Sequence, residues 1–186
     1  MSQNTPDSAA PVIRPATRAD VPAITRIYAP HVLTSLATFE EVPPDATEMA
    51  RRMDDVLARG LPYLVAEVGG EVLGYAYAAP YRVRSAYRYS VEDSIYVAAD
   101  ALWRGIGTAL LGELIARCTA LGYRQMIAVI GDSANEPSIG LHARAGFMPA
   151  GTMRAIGFKF GRWVDSVMMV RPLGDGDRSP PPDKPA

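Results

Sequence analysis

Hydrophobic and polar positions along the chain repeat with two periods, which together predict a mixed α/β domain. After a short apolar run at residues 12–14, apolar residues recur at helical spacing over residues 21–28 and 49–57, each time following a polar start signal. Residues 63–68 and 72–77 are apolar runs separated by Gly69-Gly70, a spacing typical of an antiparallel hairpin. The first half of the chain therefore predicts a strand, two helices and a hairpin.

The second half alternates strands and helices. A strand is predicted at residues 89–97, and a strongly apolar helix follows a glycine turn and ends at Gly122. Residues 126–130 are continuously apolar, as expected of a central strand covered on both faces. The pattern then predicts a short helix at residues 137–145 and two strands near 147–155 and 164–171. The fold class is α/β or α+β, with about six to seven strands and about four helices.

Composition narrows the classes of function. The 186 residues carry a formal net charge of −1, so no overall field favours nucleic acid or an anionic membrane as a partner. Cys118 is the one cysteine, which favours a reducing compartment, and the chain shows neither a leader pattern nor a long apolar run. We expect a cytoplasmic protein with one domain at residues 12–173 and disordered segments at 1–11 and 174–186.

A glycine turn precedes the apolar helix and is the first candidate for a binding site. Gly105 and Gly107 allow several backbone N–H groups to converge at the helix N-terminus, an arrangement that binds phosphate without side chains. The turn lacks the Lys-Ser/Thr of a Walker loop and the third glycine of a dinucleotide fingerprint. From spacing alone, simple punctuation between two elements is an equally acceptable interpretation.

A polar stripe on the short helix is the second candidate. Asn135, Ser138 and His142 fall on one side, while apolar residues between them are free to pack. The alternative is that Asn135 only caps the helix and His142 is a surface histidine. His31, the other histidine, has no second plausible ligand, so we expect no metal site.

Taken in order, these motifs resemble the acetyl-CoA-dependent N-acetyltransferases of the GNAT superfamily. The resemblance rests on strand residues 95–97, turn residues 104–107, the stripe at 135–142 and Gly146-Phe147. Three further segments, 38–41, 91–97 and 157–165, are similar to the phosphinothricin and methionine sulfoximine acetyltransferase branch. The resemblance covers residues 12–173 and implies the GNAT fold, in which the central sheet is splayed at the cofactor site.

The resemblance implies acetyl-CoA as the donor. Its pantetheine arm would pair with the strand and contact Asn135, and its pyrophosphate would lie on the turn amides. The superfamily usually has Gln or Arg where this chain has Leu102, and Arg104 is the nearest replacement. The residues implied for the cofactor are Ile95, Tyr96, Val97, Trp103, Arg104, Gly105, Ile106, Gly107, Thr108, Asn135 and Ser138.

Two residues are candidates for catalysis. An α-amine must lose a proton before it attacks a thioester, and in the resembling branch the glutamate matching Glu92 is the general base. His142 stands where many superfamily members have a tyrosine acid, and it is a candidate to protonate the thiolate or to orient the amine. Strand alternation puts Glu92 on the same face as Ser94 and Tyr96, and Asp93 on the other face with Ile95 and Val97. From spacing alone, Glu92 is equally a solvated strand residue.

The acceptor site is predicted around Arg82 and Arg84. Their alternation suggests one strand face, where guanidinium groups could hold an amino-acid carboxylate or instead pair with acidic side chains. Tyr89 and Trp163 could wall this site, although aromatic residues are often core. Cys118 is expected to be a packing residue. The substrate-binding set is Phe39, Arg82, Arg84, Glu92, Asp93, Ser94 and Lys159.

The sequence thus predicts an amino-acid N-acetyltransferase that works by direct transfer. The resemblance also implies a homodimer paired near the acceptor site. Two other functions remain open: acetylation of a peptide N-terminus or a polyamine-like acceptor, and a CoA-binding module without activity. Leu102 favours the last of these, whereas the presence of both Glu92 and His142 opposes it.

Overall fold

A computed structural model describes residues 10–181, and within this range the chain forms seven strands and four helices. The strands are β1 (Val12–Pro15), β2 (Tyr63–Val68), β3 (Glu71–Pro80), β4 (Ser90–Val97), β5 (Gln125–Gly131), β6 (Met148–Lys159) and β7 (Arg162–Pro172). The helices are α1 (Val21–Thr34), α2 (Ala46–Leu57), α3 (Ile106–Ala120) and α4 (Glu136–Arg144). The predicted order of elements is confirmed, as are the predicted numbers of strands and helices.

All strands belong to one sheet in the order β1-β2-β3-β4-β5-β7-β6. Every neighbouring pair is antiparallel except β4 and β5, which run parallel because α3 connects them as a crossover. The parallel pairing covers Ser90–Asp93 of β4 and ends at Ala128 of β5. Beyond it, β4 continues along β3 and β5 continues along β7, so the two central strands separate into a fork.

The helices cover opposite faces of the sheet. On one face, Tyr28 of α1 packs edge-on against Tyr96 of β4, with ring centroids 4.7 Å apart. On the other, Ile106 and Leu110 of α3 lie directly over Gly74 of β3. The core between these layers is continuous and includes the apolar positions that predicted α1, α2 and α3. Cys118 is fully buried in α3, as the packing interpretation predicts.

Local start signals behave as the sequence indicates. The Asp45 carboxylate accepts a hydrogen bond from the Glu48 N–H and caps α2. Thr17 and Asp20 form a capping box around the 3₁₀ turn that leads into α1. Within residues 10–181, no helix combines the length and the apolar character needed to cross a membrane.

Part of the C-terminal segment that the sequence predicts to be disordered lies within the described residues. Residues 174–177 form turns, and the Arg124 guanidinium donates hydrogen bonds to the carbonyls of Gly176 and Pro180. The disorder of residues 174–181 stays a prediction. The predicted disorder at residues 1–9 and 182–186 lies outside the described residues.

The last hairpin is longer than the sequence predicts. A bulge between Met153 and Gly157 interrupts the pairing of β6 with β7, and Ala155 there has a φ of 52°. Beyond the bulge the usual pattern is inverted, with Phe158 exposed and Lys159 buried. Because of this inversion, the end of β6 does not match the pattern of a strand whose apolar residues point inward.

Candidate active site

The fork between β4 and β5 opens a cavity of about 730 Å³. Its walls come from β4 beyond the parallel pairing, from the glycine turn before α3, from the end of β5 and from α4. Since β4 no longer pairs with β5 there, the facing strand edges are available to a ligand. The predicted residues that line the cavity are Asp93, Ser94, Ile95, Tyr96, Val97, Trp103, Gly105, Ile106, Gly107, Thr108, Asn135, Ser138 and His142. Leu102 lines it as well.

The glycine turn has the geometry of an anion site. Gly105 is left-handed, with a φ of 77°, and this conformation turns the chain sharply into the N-terminus of α3. Trp103 is also left-handed, at a φ of 64°, and its side chain is 84% exposed. A diphosphate fits this end of the cavity because free helix amides and the helix dipole both favour negative charge.

Arg104 is exposed and does not line the cavity. Its contact with a bound pyrophosphate stays a prediction. The cationic side chains that do line the cavity are Arg144 of α4 and Arg162 of β7. Arg162 is paired with Asp132, 2.8 Å away.

Asn135 caps α4, which supports the structural interpretation of this residue. Its Oδ1 accepts a hydrogen bond from the Ser138 N–H, and its Nδ2 donates to the Gly131 carbonyl, both at 3.3 Å. The same side chain therefore joins the end of β5 to the start of α4 while facing the cavity. Contact with a bound pantetheine stays a prediction.

Glu92 lies on the face of β4 that packs against α1. Strand alternation places it with Ser94 and Tyr96, as predicted, and Tyr96 contacts α1. Burial raises the pKa of the Glu92 carboxyl above its ordinary value, the charge of Asp93 adds to the rise, and Arg82 partly offsets it. A carboxylate with a raised pKa is a better proton acceptor near neutral pH.

Asp93 and His142 lie together on the opposite face. His142 is 4% exposed, so it is not the surface histidine of the alternative interpretation. Its Nε2 lies 2.9 Å from Oδ2 of Asp93, and its Nδ1 lies 2.8 Å from the Ser138 carbonyl. Burial alone would lower the pKa of His142, but the hydrogen bond and charge of Asp93, together with the Ser138 carbonyl, raise it overall.

Asp93 lies on the face of β4 opposite Glu92, as strand alternation predicts. Its carboxylate bonds His142. The membership of Asp93 in the substrate-binding set stays a prediction.

The two arginines predicted for the acceptor site lie in a loop, not on a strand. Strand β3 ends at Pro80, and Arg82 and Arg84 follow it in the exposed connection to β4. Arg82 stacks over the Tyr81 ring at 4.7 Å from its centroid and is close enough to Glu92 to influence its pKa. The predicted strand alternation of these arginines is therefore wrong, while the proximity of Arg82 to Glu92 agrees with an acceptor site.

Lys159 fastens a loop that borders the cavity. Its Nζ donates hydrogen bonds to the carbonyls of Ser35 and Thr38, each at 2.8 Å, and the side chain is almost fully buried. Phe39 from the same loop packs on Gly157, where a Cβ would lie 2.5 Å from its ring. Trp163 is exposed and contacts Phe158. Lys159 thus acts on the shape of the site rather than as an open cation.

Sequence reasoning missed several residues of the cavity wall. His31 of α1 lines it, and its Nε2 lies 3.0 Å from the Val97 carbonyl. Helical spacing from Ile24 and Ile27 does place His31 on the sheet-facing side, so a signal existed. The loop residues Ser35–Ala37 carry no such signal. Among residues 10–181, no group of three or more His, Cys, Asp or Glu side chains could hold a metal ion.

Known proteins share this architecture. Residues 13–168 match the family described as Acetyltransferase (GNAT) domain. The chain is 59% identical over 162 residues to a phosphinothricin N-acetyltransferase of Alcaligenes faecalis, covering 87% of this chain and 82% of the relative. It is 42% identical over 170 residues to an L-methionine sulfoximine/L-methionine sulfone acetyltransferase of Pseudomonas aeruginosa, covering 91% and 98%.

A solved structure extends the comparison to three dimensions. A GNAT superfamily phosphinothricin acetyltransferase from Sinorhizobium meliloti, in complex with AcCoA, superimposes with a TM-score of 0.91 at 51% identity and 94% coverage of both chains. The comparisons agree with the splayed sheet and its glycine turn: the family matches most of the chain, the identities are high and the fold is shared. The chain belongs to the GNAT acetyltransferase family.

Proposed function

We propose that this protein transfers the acetyl group of acetyl-CoA to the primary amine of a small amino acid or close analogue, of the phosphinothricin or methionine sulfoximine type. The observation that carries the proposal is the fork of the sheet. It sets a cavity that fits a pantetheine arm and a diphosphate along β4, beginning at Asp93, the residue after Glu92. The carboxyl of Glu92 has a raised pKa. The names of the related enzymes support the same acceptor class.

The residues divide the reaction between the two faces of β4. Glu92 accepts a proton from the acceptor ammonium, directly or through one water, and leaves the amine free to attack the acetyl carbonyl. A backbone N–H of the separated strand near Tyr96 and Val97 stabilises the oxyanion. His142, on the other face of β4, protonates the thiolate sulfur of the leaving CoA. The acetyl group passes directly from donor to amine within one ternary complex.

Recognition of the acceptor is assigned to the loop after β3. A guanidinium fork binds a carboxylate with two parallel hydrogen bonds, and Arg82 lies near Glu92, as an amino acid with adjacent amine and carboxylate requires. Peptide N-termini and polyamines lack a carboxylate at that position. A panel of free amino acids, their analogues and short peptides, measured by thiol release, separates these classes of acceptor.

We extend the proposal to a cytoplasmic homodimer. The hairpin of β6 and β7 carries an apolar patch, with Met153, Ile156, Phe158, Phe160 and Trp163 between 39% and 67% exposed. Phe39, in the loop between α1 and α2 and in the predicted substrate-binding set, packs on the same hairpin, so a second copy seated there would adjoin the acceptor site. Light scattering of the wild type and of Trp163→Arg tests the dimer.

The buried thiol of Cys118 is compatible with a reducing compartment, as proposed for a cytoplasmic protein.

Replacing Glu92 by glutamine tests the catalytic assignment. The amide cannot accept the proton, so turnover should fall by about 100-fold or more, while the affinity for acetyl-CoA, measured by calorimetry, stays unchanged. Glu113→Gln, on the exposed side of α3, is the matched control and should behave as the wild type. Full turnover in Glu92→Gln would remove Glu92 from the mechanism.

A further inference from the structure

The hydrogen bonds of His142 fix the number of protons that it shares with Asp93. The Ser138 carbonyl only accepts and lies 2.8 Å from the Nδ1 of His142, closer than the Ser138 hydroxyl at 3.5 Å, so Nδ1 carries a proton. The Nε2 of the ring then faces Oδ2 of Asp93 at 2.9 Å, where two lone pairs would repel unless a second proton lies between them. Asp93 and His142 therefore hold one proton more than a neutral histidine beside a carboxylate.

The surroundings make this extra proton costly to lose. The side chains of His142 and Asp93 are 5% and 2% exposed, and the ring of Phe147 packs edge-on against the imidazole with centroids 5.0 Å apart. If the pair lost this proton, the negative charge of the Asp93 carboxylate would be buried without a positive partner. The charge of Asp93 acts on Glu92, on the far face of β4, and on the Cys118 thiol of α3. Burial and that charge raise the pKa of the Cys118 thiol to about 12. Arg144 of α4 lines the same cavity as the pair.

The pair lies at the closed end of the fork. Asp93 is the last residue of β4 that pairs with β5, and both Asp93 and His142 line the cavity. The second carboxylate oxygen, Oδ1, is buried and has no hydrogen-bond partner among the described residues. A carboxylate that forms only half of its hydrogen bonds in a finished fold is unusual, and it indicates a role beyond packing.

We infer that Asp93 is a positioning residue that keeps a second proton on His142, and that this proton is delivered to the sulfur of the leaving CoA. The inference rests on the proposed function. Glu92 already holds the first proton, taken from the acceptor ammonium. As the bond between amine nitrogen and acetyl carbon forms and the carbon–sulfur bond breaks, the nitrogen loses its second proton to water and His142 gives its proton to the thiolate. The products are the amide and the CoA thiol. Glu92 then releases its proton to water and His142 takes one up, so each turnover releases one proton.

The Asp93→Asn variant tests this role. An asparagine amide can donate to the Nε2 of a neutral ring, so His142 keeps its place but loses the extra proton. We expect kcat to fall by about 100-fold, the size of a general-acid contribution, with the KM for acetyl-CoA within about twofold of the wild type. The basic limb of the kcat profile should move to lower pH. Asp93→Glu keeps the charge and should recover part of kcat, and Asp55→Asn, on the exposed side of α2, is the control.

Nitrogen-15 NMR reads the proton directly. The sequence holds two histidines, so the ring signals of His142 are identified by comparison with His142→Gln. In the wild type near pH 7, both ring nitrogens of His142 should be protonated, whereas Asp93→Asn should show one protonated and one bare nitrogen. A neutral His142 in the wild type, or wild-type kcat and pH profile in Asp93→Asn, overturns the inference.

The two proposals fail in different ways. If the wild type acetylates no amine, the proposed function fails, and the NMR measurement still decides whether Asp93 and His142 share the second proton. If Asp93→Asn does not fold, as judged by circular dichroism and thermal melting, the ring signals of the wild type and the recovery in Asp93→Glu decide the question instead.

Discussion

Lys159 places a positive charge where the alternation of strand β6 would normally place an apolar side chain. Burial lowers the pKa of its ammonium group, so the fold bears a desolvation cost at this position. The carbonyls of Ser35 and Thr38 compensate by accepting its hydrogen bonds. One side chain thus joins the last hairpin to a loop more than a hundred residues earlier, and that loop lines the cavity.

We predict that Lys159→Met destabilises the fold. Methionine fills a similar volume but leaves the Ser35 and Thr38 carbonyls without their donor, at a cost of about 1–3 kcal/mol in the free energy of unfolding. Urea unfolding followed by circular dichroism measures the change, and Arg59→Met, on the exposed turn after α2, should be neutral. An unchanged urea midpoint in Lys159→Met would show that the loop is held by other contacts.

At the scale of elements, hydrophobic periodicity predicts the helices that pack on the core, but it does not predict the end of strand β6, which packs on a loop. Helices α1, α2 and α3 were predicted because their buried residues recur at helical spacing. The end of β6 was missed because the bulge before Gly157 reverses the two faces, leaving Phe158 exposed. A pattern that assumes one apolar face per strand cannot detect a reversal within that strand.

The N-terminus of α3 offers a test of the glycine turn. Nothing lies within 4 Å of a Cβ added at Gly105, so Gly105→Ala causes no clash. Its one effect is the conformational strain of an alanine at the left-handed φ of 77°. That cost, about 1–2 kcal/mol, favours a turn in which the amides no longer converge. We expect the Kd for acetyl-CoA, measured by calorimetry, to rise roughly 10-fold.

Gly112, within the same helix, provides the matched control for Gly105→Ala. An added Cβ there also meets nothing within 4 Å, but the backbone is helical. Gly112→Ala should therefore stabilise the protein by about 0.5–1 kcal/mol and leave the Kd unchanged. Equal Kd values for both variants would mean that the diphosphate does not depend on the shape of the turn.

At the scale of the whole molecule, the sequence predicted the fold and the cavity but not the contacts that join distant segments. The strand, the glycine turn and the helix that form one wall of the cavity are consecutive in sequence. The cavity was expected from their resemblance to the GNAT superfamily, since spacing alone left simple punctuation as an equally acceptable interpretation of the turn. The bond between Asp93 and His142 joins residues 49 positions apart, and its existence depends on how α4 packs on the sheet. Alternation along β4 separated Glu92 from Asp93 correctly, yet it could not tell which face received α4.

Stability in acid depends on an ion pair that joins the N-terminal strand to the rest of the molecule. Arg14 of β1 donates hydrogen bonds to the carboxylates of Asp20, before α1, and Glu67, in β2. The bond from Arg14, with further bonds from the backbone and side chain of Thr17, lowers the pKa of the buried Asp20 from 3.8 to about 2. Because the pKa is lower in the folded state, the resulting stabilisation is present above pH 4 and is lost as pH falls towards 2.

We therefore predict that Asp20→Asn and the wild type differ most in stability near neutral pH and converge in acid. A pKa shift of nearly two units corresponds to roughly 2 kcal/mol, so the difference in the free energy of unfolding should shrink by about that amount between pH 6 and pH 2. Urea unfolding of both proteins across this range measures it, and subtraction removes the carboxylates common to both. Asp54→Asn, on the exposed side of α2, should show no comparable dependence. A difference that stays constant with pH would mean that Asp20 contributes through packing and not through its charge.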